Sequence, residues 1–115
     1  MSYVDGFVAA VPAKNKGEYT RFVKAMGQVF KDHGALTVVD CWGDDIPEGK
    51  VTSMPMAVKR ENDETVVFGW ITWPSKEARK AGMGKAMEDP RMRDVKMPFD
   101  GQRLIFGGFE ILSSM

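Results

Sequence analysis

The sequence predicts an α+β fold in which one four-stranded antiparallel sheet carries its helices on a single face. Four apolar segments bounded by turn residues indicate β-strands, and two segments with apolar residues every three to four positions indicate helices. These elements follow one another as β-α-β-β-α-β, an order that closes naturally into such a sheet. Residues 1–115 are expected to form a single domain.

The first strand is predicted over residues 3–11, because Pro12 cannot donate a hydrogen bond to a sheet and marks the exit from it. A helix is predicted next, over residues 16–33, where apolar side chains form one wide stripe at helical spacing. Asn15 and Glu18 resemble a capping box, with the asparagine as the N-terminal cap.

The second strand is predicted over residues 35–42 and the third over residues 65–73. Residues 43–64 form a long excursion between them, and connections above about 12–15 residues are more often functional than accidental. Ser53 and Pro55 could open a short helix there, but the same stretch could instead extend the neighbouring strands. The sequence leaves both alternatives open.

The second main helix is predicted over residues 75–88, with Ser75 as its cap. Gly82 and Gly84 each weaken this helix by about 1 kcal/mol relative to alanine, so packing has to stabilise it. A last strand is predicted over residues 103–112. The predicted buried stripe of the helix consists of Ala78, Ala81, Ala86 and Met87.

All four predicted strands are apolar on both faces, although the two helices can cover only one face of the sheet. The other face would expose roughly 400 Å², close to the largest apolar patch that a monomer normally tolerates. Burying that patch would contribute on the order of 10 kcal/mol. We therefore expect a homodimer with the two sheets face to face, and a ligand cavity between the sheets or between sheet and helices.

Composition and charge argue against several classes of function. Sixteen basic residues balance sixteen acidic ones and no aromatic RNA-binding motif is present, so nucleic acid is not an expected partner. The single cysteine, Cys41, allows no intrachain disulfide and no cysteine-rich metal site, and neither metal nor cofactor is predicted. No stretch is apolar enough for a signal peptide or a membrane span, so we expect a cytoplasmic protein that does not contact the membrane.

Short motifs spread over nearly the whole chain carry a family resemblance. They are Tyr3-Val4-Asp5-Gly6-Phe7, His33-Gly34-Ala35, Asp40-Cys41-Trp42-Gly43-Asp44-Asp45, Glu64-Thr65-Val66-Val67-Phe68-Gly69-Trp70, Trp73-Pro74-Ser75, Asp89-Pro90-Arg91-Met92, Met97-Pro98-Phe99-Asp100-Gly101 and Gly107-Gly108-Phe109-Glu110. The chain resembles the YbaA-like family of uncharacterised bacterial proteins. The resemblance implies a ferredoxin-like fold of the dimeric α+β barrel superfamily and no assigned activity. That superfamily includes cofactor-free monooxygenases, haem-degrading enzymes, isomerases and ligand-binding modules, so the fold leaves the chemistry open.

Three residues are candidates for proton transfer: Asp40, Glu110 and His33. Asp40 shares its strand face with Val38 and Trp42, so its carboxylate should be desolvated and its pKa shifted. Glu110 is expected on an apolar face in the same way, and two carboxyls in one pocket could act as acid and base or hold a divalent ion. A helix cap is the alternative for His33, and a structural ion pair is the alternative for each acid.

Two strand residues are expected to be structural. Asp5 lies beside Phe7 on an apolar face and should pair with Arg103, Arg21 or a backbone donor. Cys41 has no basic neighbour in sequence and should behave as a small buried hydrophobe.

Trp42, Trp70 and Asp40 are predicted to line a pocket for a small apolar or aromatic ligand, unless the tryptophans belong to the core or to the dimer interface. The acidic segment 44–48 could chelate a cation, with a solvated turn as the alternative. Three functions remain open on this reasoning. The protein is a homodimer that binds a small molecule, a cofactor-independent oxygenase or isomerase of the same fold, or a structural dimer without a ligand.

Overall fold

In the computed structural model, which describes residues 2–115, the four strands follow one another along the chain as predicted, although the last is shorter than the predicted residues 103–112. The strands are β1 (Tyr3–Pro12), β2 (Thr37–Trp42), β3 (Glu64–Trp73) and β4 (Ile105–Glu110). They form one antiparallel sheet in the order β2-β3-β1-β4, so β3 and β1 are central and β2 and β4 are the edges. This is the ferredoxin-like arrangement, and the predicted α+β fold is confirmed.

Two long helices on one face of the sheet and two short helices complete the fold. They are α1 (Lys16–Asp32), α2 (Met54–Ala57), α3 (Lys76–Glu88) and α4 (Pro90–Arg93), with short 3-10 turns at Ala13–Asn15 and Gly101–Arg103. Phe30 of α1 and Met83 of α3 both pack against the cluster that contains Trp73, so the two long helices share a face. Within residues 2–115, no helix combines the length and the apolar character needed to cross a membrane.

The first helix begins without the predicted capping box. Asn15 lies in a 3-10 turn, and its side chain makes no cap hydrogen bond. Its Nδ2 instead donates to the carbonyl oxygen of Pro98 at 3.2 Å, which ties the start of α1 to the segment before β4. At the other end, Gly34 has a φ of +109°, a left-handed conformation that glycine adopts readily and that stops the helix.

The long excursion between β2 and β3 contains a short helix, so the helical alternative is the correct one. Ser53 caps α2, since its hydroxyl oxygen accepts a hydrogen bond from the backbone N–H of Met56 at 3.1 Å. Just beyond α2, Val58 is fully buried and packs against Ala10 and Val66. The excursion therefore covers one end of the sheet face that α1 and α3 leave free.

The third helix packs through a glycine, and the predicted alanine stripe is partly wrong. Ala86 is buried as expected, but Ala81 is exposed and Met87 is 57% exposed. Gly82 makes the close contact, because a Cβ at that position would lie only 2.3 Å from the ring of Trp73. The approach of α3 to a bulky indole, and not the spacing of its alanines, decides which side of the helix faces the sheet.

The face of the sheet turned away from α1 and α3, which we call the open face, is apolar and only partly covered. The excursion covers one end of it, whereas Phe68, Ile105 and Phe109 are 40%, 44% and 58% exposed. The strand pairings place these three side chains on the same side of the sheet as Val4, Val39 and Trp70.

Candidate functional site

A groove of about 700 Å³ runs between α1 and the edge strand β2. Small-molecule sites usually have volumes of about 300–1,000 Å³. The groove exists because no strand lies on the outer side of β2, while α1 runs alongside it. Its apolar lining includes Val23 of α1 together with Val38 and Trp42 of β2.

Asp40 is the acidic residue that lines this groove. It lies on the same side of β2 as Val38 and Trp42, opposite Gly69 of β3, and is half-buried. Burial raises the pKa of Asp40 to about 6. Within residues 2–115 no basic side chain forms a salt bridge with this carboxyl. Near neutral pH it can therefore accept a hydrogen bond or, once protonated, donate one.

Tyr19 of α1 also lines the groove, close to Trp42, with their ring centroids 6.0 Å apart. It is buried, and the centroid of the Phe99 ring lies 5.9 Å from its own. Burial, and after it the negative charge of Asp40, raises the pKa of Tyr19 well above its usual value. The phenol therefore stays protonated at physiological pH and can donate a hydrogen bond.

Three lysines of α1 also line the groove, and we call Lys16, Lys24 and Lys31 the basic rim. The Nζ of Lys16 lies 5.6 Å from the centroid of the Trp42 ring. The Nζ of Lys31 donates a hydrogen bond to the carbonyl oxygen of Leu36 at 2.9 Å. Within residues 2–115 none of the three lysines forms a salt bridge.

The predicted pocket of Trp42, Trp70 and Asp40 is only partly right. Trp42 and Asp40 both line the groove, but Trp70 lies on the open face, where its ring centroid is 5.5 Å from that of Phe68. The cause is the register between β2 and β3, which places Asp40 opposite Gly69 and so turns the next residue, Trp70, to the other side of the sheet.

Glu110 does not share a pocket with Asp40 within one subunit, so the condition for the two carboxyls to act there as acid and base, or to hold one ion, is not met. Glu110 is exposed at the end of β4, whereas Asp40 lies on β2 at the opposite edge of the sheet. Three strand spacings separate the two edges, a distance of about 14 Å. The predicted burial of Glu110 fails as well, because neither long helix covers this edge strand.

His33 lies at the C-terminal end of α1, outside the groove. Its Nε2 is 2.9 Å from the carboxylate of Asp89, which caps α4. Hydrogen bonds from Arg91, and after them from His33, hold the pKa of Asp89 below its usual range. This arrangement corresponds to the structural alternative for His33, since the histidine joins the end of α1 to the start of α4.

The expectations for Asp5 and Cys41 need correction. Asp5 is buried and structural, but its partners are the Arg79 guanidinium at 2.7 Å and the Trp73 indole N–H at 2.9 Å. Arg103, one of the alternative partners expected for Asp5, instead donates to the carboxylate of Glu64 at the start of β3, at 2.7 Å. Cys41 is exposed and not buried, because its side chain points to the open face.

The acidic segment between β2 and α2 contains no arrangement typical of a cation site. Asp44 and Asp45 are exposed, and Glu48 lies 3.5 Å from the guanidinium of Arg60. Among the residues that the structure describes, no group of three or more histidine, cysteine, aspartate or glutamate side chains could hold a metal ion.

Tyr19 and the basic rim are the parts of the site that the sequence reasoning missed. Exposed lysines are ordinary on a helix, and a tyrosine in an apolar stripe is ordinarily core. One usable signal is angular, since Lys16, Lys24 and Lys31 fall within about 80° of one another around a helix of 3.6 residues per turn. That signal shows that the lysines share a side of α1, but not that β2 lies beside them.

Comparison with known proteins gives a family and a fold. Residues 2–101 match the family described as "Protein of unknown function (DUF1428)". The chain is 54% identical over 112 residues to the "Uncharacterized protein YbaA" of Escherichia coli strain K12 and to that of Shigella flexneri, with 96% of each chain covered. The "Structure of Rv0793 from Mycobacterium tuberculosis" is similar with a TM-score of 0.54, over 99% of this chain and 98% of that one, at 11% identity, which shows the fold alone. The chain thus belongs to the YbaA-like DUF1428 family of proteins of unknown function.

Proposed function

We propose that the protein is a homodimer that binds a small, partly apolar molecule in the groove between α1 and β2. The observation that carries the ligand site is Asp40, a half-buried carboxyl in an apolar groove without a basic partner among the described residues. Desolvating a carboxyl in this way costs stability, and groups of this kind are concentrated at functional sites.

The groove offers both apolar contact and orientation to such a molecule. Trp42 and Val38 provide apolar surface, and Asp40 supplies a hydrogen-bonding group beside them. A few polar groups within a mostly apolar cleft are typical of small-molecule sites, because the apolar surface supplies affinity and the polar groups fix the ligand's orientation.

The homodimer is supported by the open face. In a single subunit this face leaves three large apolar side chains in contact with water, those of Phe68, Ile105 and Phe109. They lie on the same face of the sheet as Trp70 and form one apolar surface with it. The open face has roughly 400 Å² of apolar surface to cover. A second copy of the protein can cover it with its own open face, because a two-fold dimer pairs the same surface on both subunits and two sheets pack about 10 Å apart.

The free energy gained by burying the open face is comparable with the free-energy cost of association. Burying the open face contributes on the order of 10 kcal/mol, against an association cost of about 4–15 kcal/mol. Stable interfaces bury about 800 Å² per partner, so segments beside the sheet have to add area. The chain after β4 can do so, since Leu112 is 92% exposed.

The ligand site is tested by titration with N-phenyl-1-naphthylamine, a neutral apolar probe whose fluorescence rises in apolar surroundings and whose N–H can donate to Asp40. We expect saturable binding that Asp40→Asn weakens about fivefold, because a charged acceptor becomes a neutral one. Asp44→Asn, at an exposed position outside the groove, is the matched control and should bind normally. Equal binding by all three proteins would refute the proposed role of Asp40 in the site.

The dimer is tested by sedimentation with two changes on one strand. Phe109→Ser removes an aromatic residue from the open face, whereas Phe106→Ser removes one that is 76% exposed on the other side of β4. We expect the first change to shift the protein towards monomer and the second to leave the dimer intact. A wild-type protein that stays monomeric at high concentration would refute the proposed assembly.

A cofactor-independent oxygenase or isomerase is the second candidate, and the pKa of Asp40 is the observation that favours it. A carboxyl with a pKa of about 6 is suited to general acid–base catalysis near neutral pH. Turnover of a substrate by the purified protein, lost in Asp40→Asn, would favour the enzyme over the binding protein.

A further inference from the structure

We infer that the groove selects an amphipathic organic anion, a molecule with an apolar or aromatic body and a carboxylate, sulfonate or phosphate group. This inference rests on the proposed function, because it names the ligand class of the same groove. Its basis is the juxtaposition of the basic rim with an apolar floor along the whole length of the groove.

The charge around the groove is local and unbalanced. The chain as a whole has sixteen basic and sixteen acidic residues, whereas the groove is lined by three lysines and one acid, Asp40. None of the three lysines forms a salt bridge within residues 2–115, so their positive charges are available to a ligand. The negative charge of Asp40 offsets these positive charges only in part, since its carboxyl is partly protonated near pH 6.

The order of contacts along the groove shows which lysine is best placed. Lys31 meets Leu36 at one end and Lys16 meets Trp42 at the other, so α1 and β2 run in opposite directions. Lys24 therefore lies between these two ends, about 12 Å along the helix from Lys16 and about 10 Å from Lys31.

The middle of the groove is also where Asp40 lies. Gly27 faces Val38, because a Cβ added to Gly27 would lie 3.5 Å from the Val38 side chain. One helical turn from Gly27 towards Lys16 is Lys24, and two residues from Val38 in the same direction is Asp40. A ligand in the middle of the groove therefore meets an ammonium on the helix side and a carboxyl on the strand side.

The two groups would contact different parts of one ligand. The Lys24 ammonium attracts the anionic group at the solvent-facing rim, where a charge keeps part of its hydration. Asp40 contacts a hydroxyl or amine on the apolar body, which lies against Val38 and Trp42. A neutral ligand would leave the rim unused, and a cationic one would be repelled by it.

A pair of probes that differ in one charged group tests this inference. We expect 8-anilino-1-naphthalenesulfonate to bind about two- to fivefold more tightly than neutral N-phenyl-1-naphthylamine, the size expected of one partly exposed ion pair. Lys24→Gln should remove most of that preference without changing the affinity of the neutral probe. Lys80→Gln, at an exposed position of α3 outside the groove, is the matched control and should change neither affinity.

The outcomes separate this inference from the proposed function. If both probes bind equally and Lys24→Gln changes neither, the anion preference is refuted while the groove remains a ligand site. If sulfonate binding is insensitive to Lys24→Gln but is lost in Phe109→Ser, the probe occupies the open face and the inference is also refuted. If neither probe binds, the proposed function fails together with the inference.

Discussion

Replacing Asp40 by asparagine tests the assignment of the groove, because it removes the charge and keeps the shape of the side chain. Burial raises the pKa of Asp40 from 3.8 to about 6, so the folded protein accommodates the ionised carboxylate less well than the unfolded chain does. Above about pH 6 the ionised group therefore destabilises the folded state. As the pH falls from about 6 to below 3.8, the group is protonated in both states and the destabilisation disappears.

The size of the effect follows from that shift. A change of about two pKa units corresponds to about 3 kcal/mol, and the partial exposure of Asp40 reduces this to about 1–2 kcal/mol. We expect Asp40→Asn to raise the free energy of unfolding by that amount at about pH 7.5, or Tm by about 3–8 °C. At about pH 4 the gain should be nearly absent.

Urea unfolding of wild type, Asp40→Asn and the control Asp44→Asn at both pH values measures this difference. All three proteins are compared at one concentration, because the stability of a dimer depends on it. Carboxyls such as Glu64, whose pKa Arg103 holds down, titrate alike in the three proteins and cancel in the differences. Lower stability of Asp40→Asn at about pH 7.5, or a gain that persists at about pH 4, would show that Asp40 has a structural role.

Two further predictions concern the packing of α3. Gly82→Ala should destabilise the protein by about 1–3 kcal/mol, because its Cβ would lie 2.3 Å from the Trp73 ring, whereas Gly84→Ala, with no atom within 4 Å, should stabilise it by up to about 1 kcal/mol. Thermal unfolding of the two variants checks this, and equal shifts would contradict the contact. Arg79→Met should cost about 2–3 kcal/mol, because it leaves the carboxylate of Asp5 buried without its cation. An unchanged urea midpoint for that variant would show that Asp5 does not depend on this ion pair.

Properties that depend on neighbours in sequence follow from the sequence. The spacing of apolar residues along the segment of α1 predicts that helix almost to the residue, since the pattern has the period of the helix itself. Strand parity places Asp40 with Val38 and Trp42 before any partner strand is known. The raised pKa of Asp40 follows from that placement, because an apolar sheet face desolvates a carboxyl.

Properties that depend on which strands are neighbours do not follow from the sequence. Parity alone cannot tell which side of β3 shares a face with Asp40, and the register places Gly69 there and sends Trp70 to the open face. The strand order separates Glu110 from Asp40 by the width of the sheet. The amino-acid pattern thus determines the strands and the two long helices, because their periodicity is local, but not every surface that they bury. Tertiary packing alone decides that α1 lies along β2, so that three lysines, a carboxyl and a tryptophan distant in sequence line one groove.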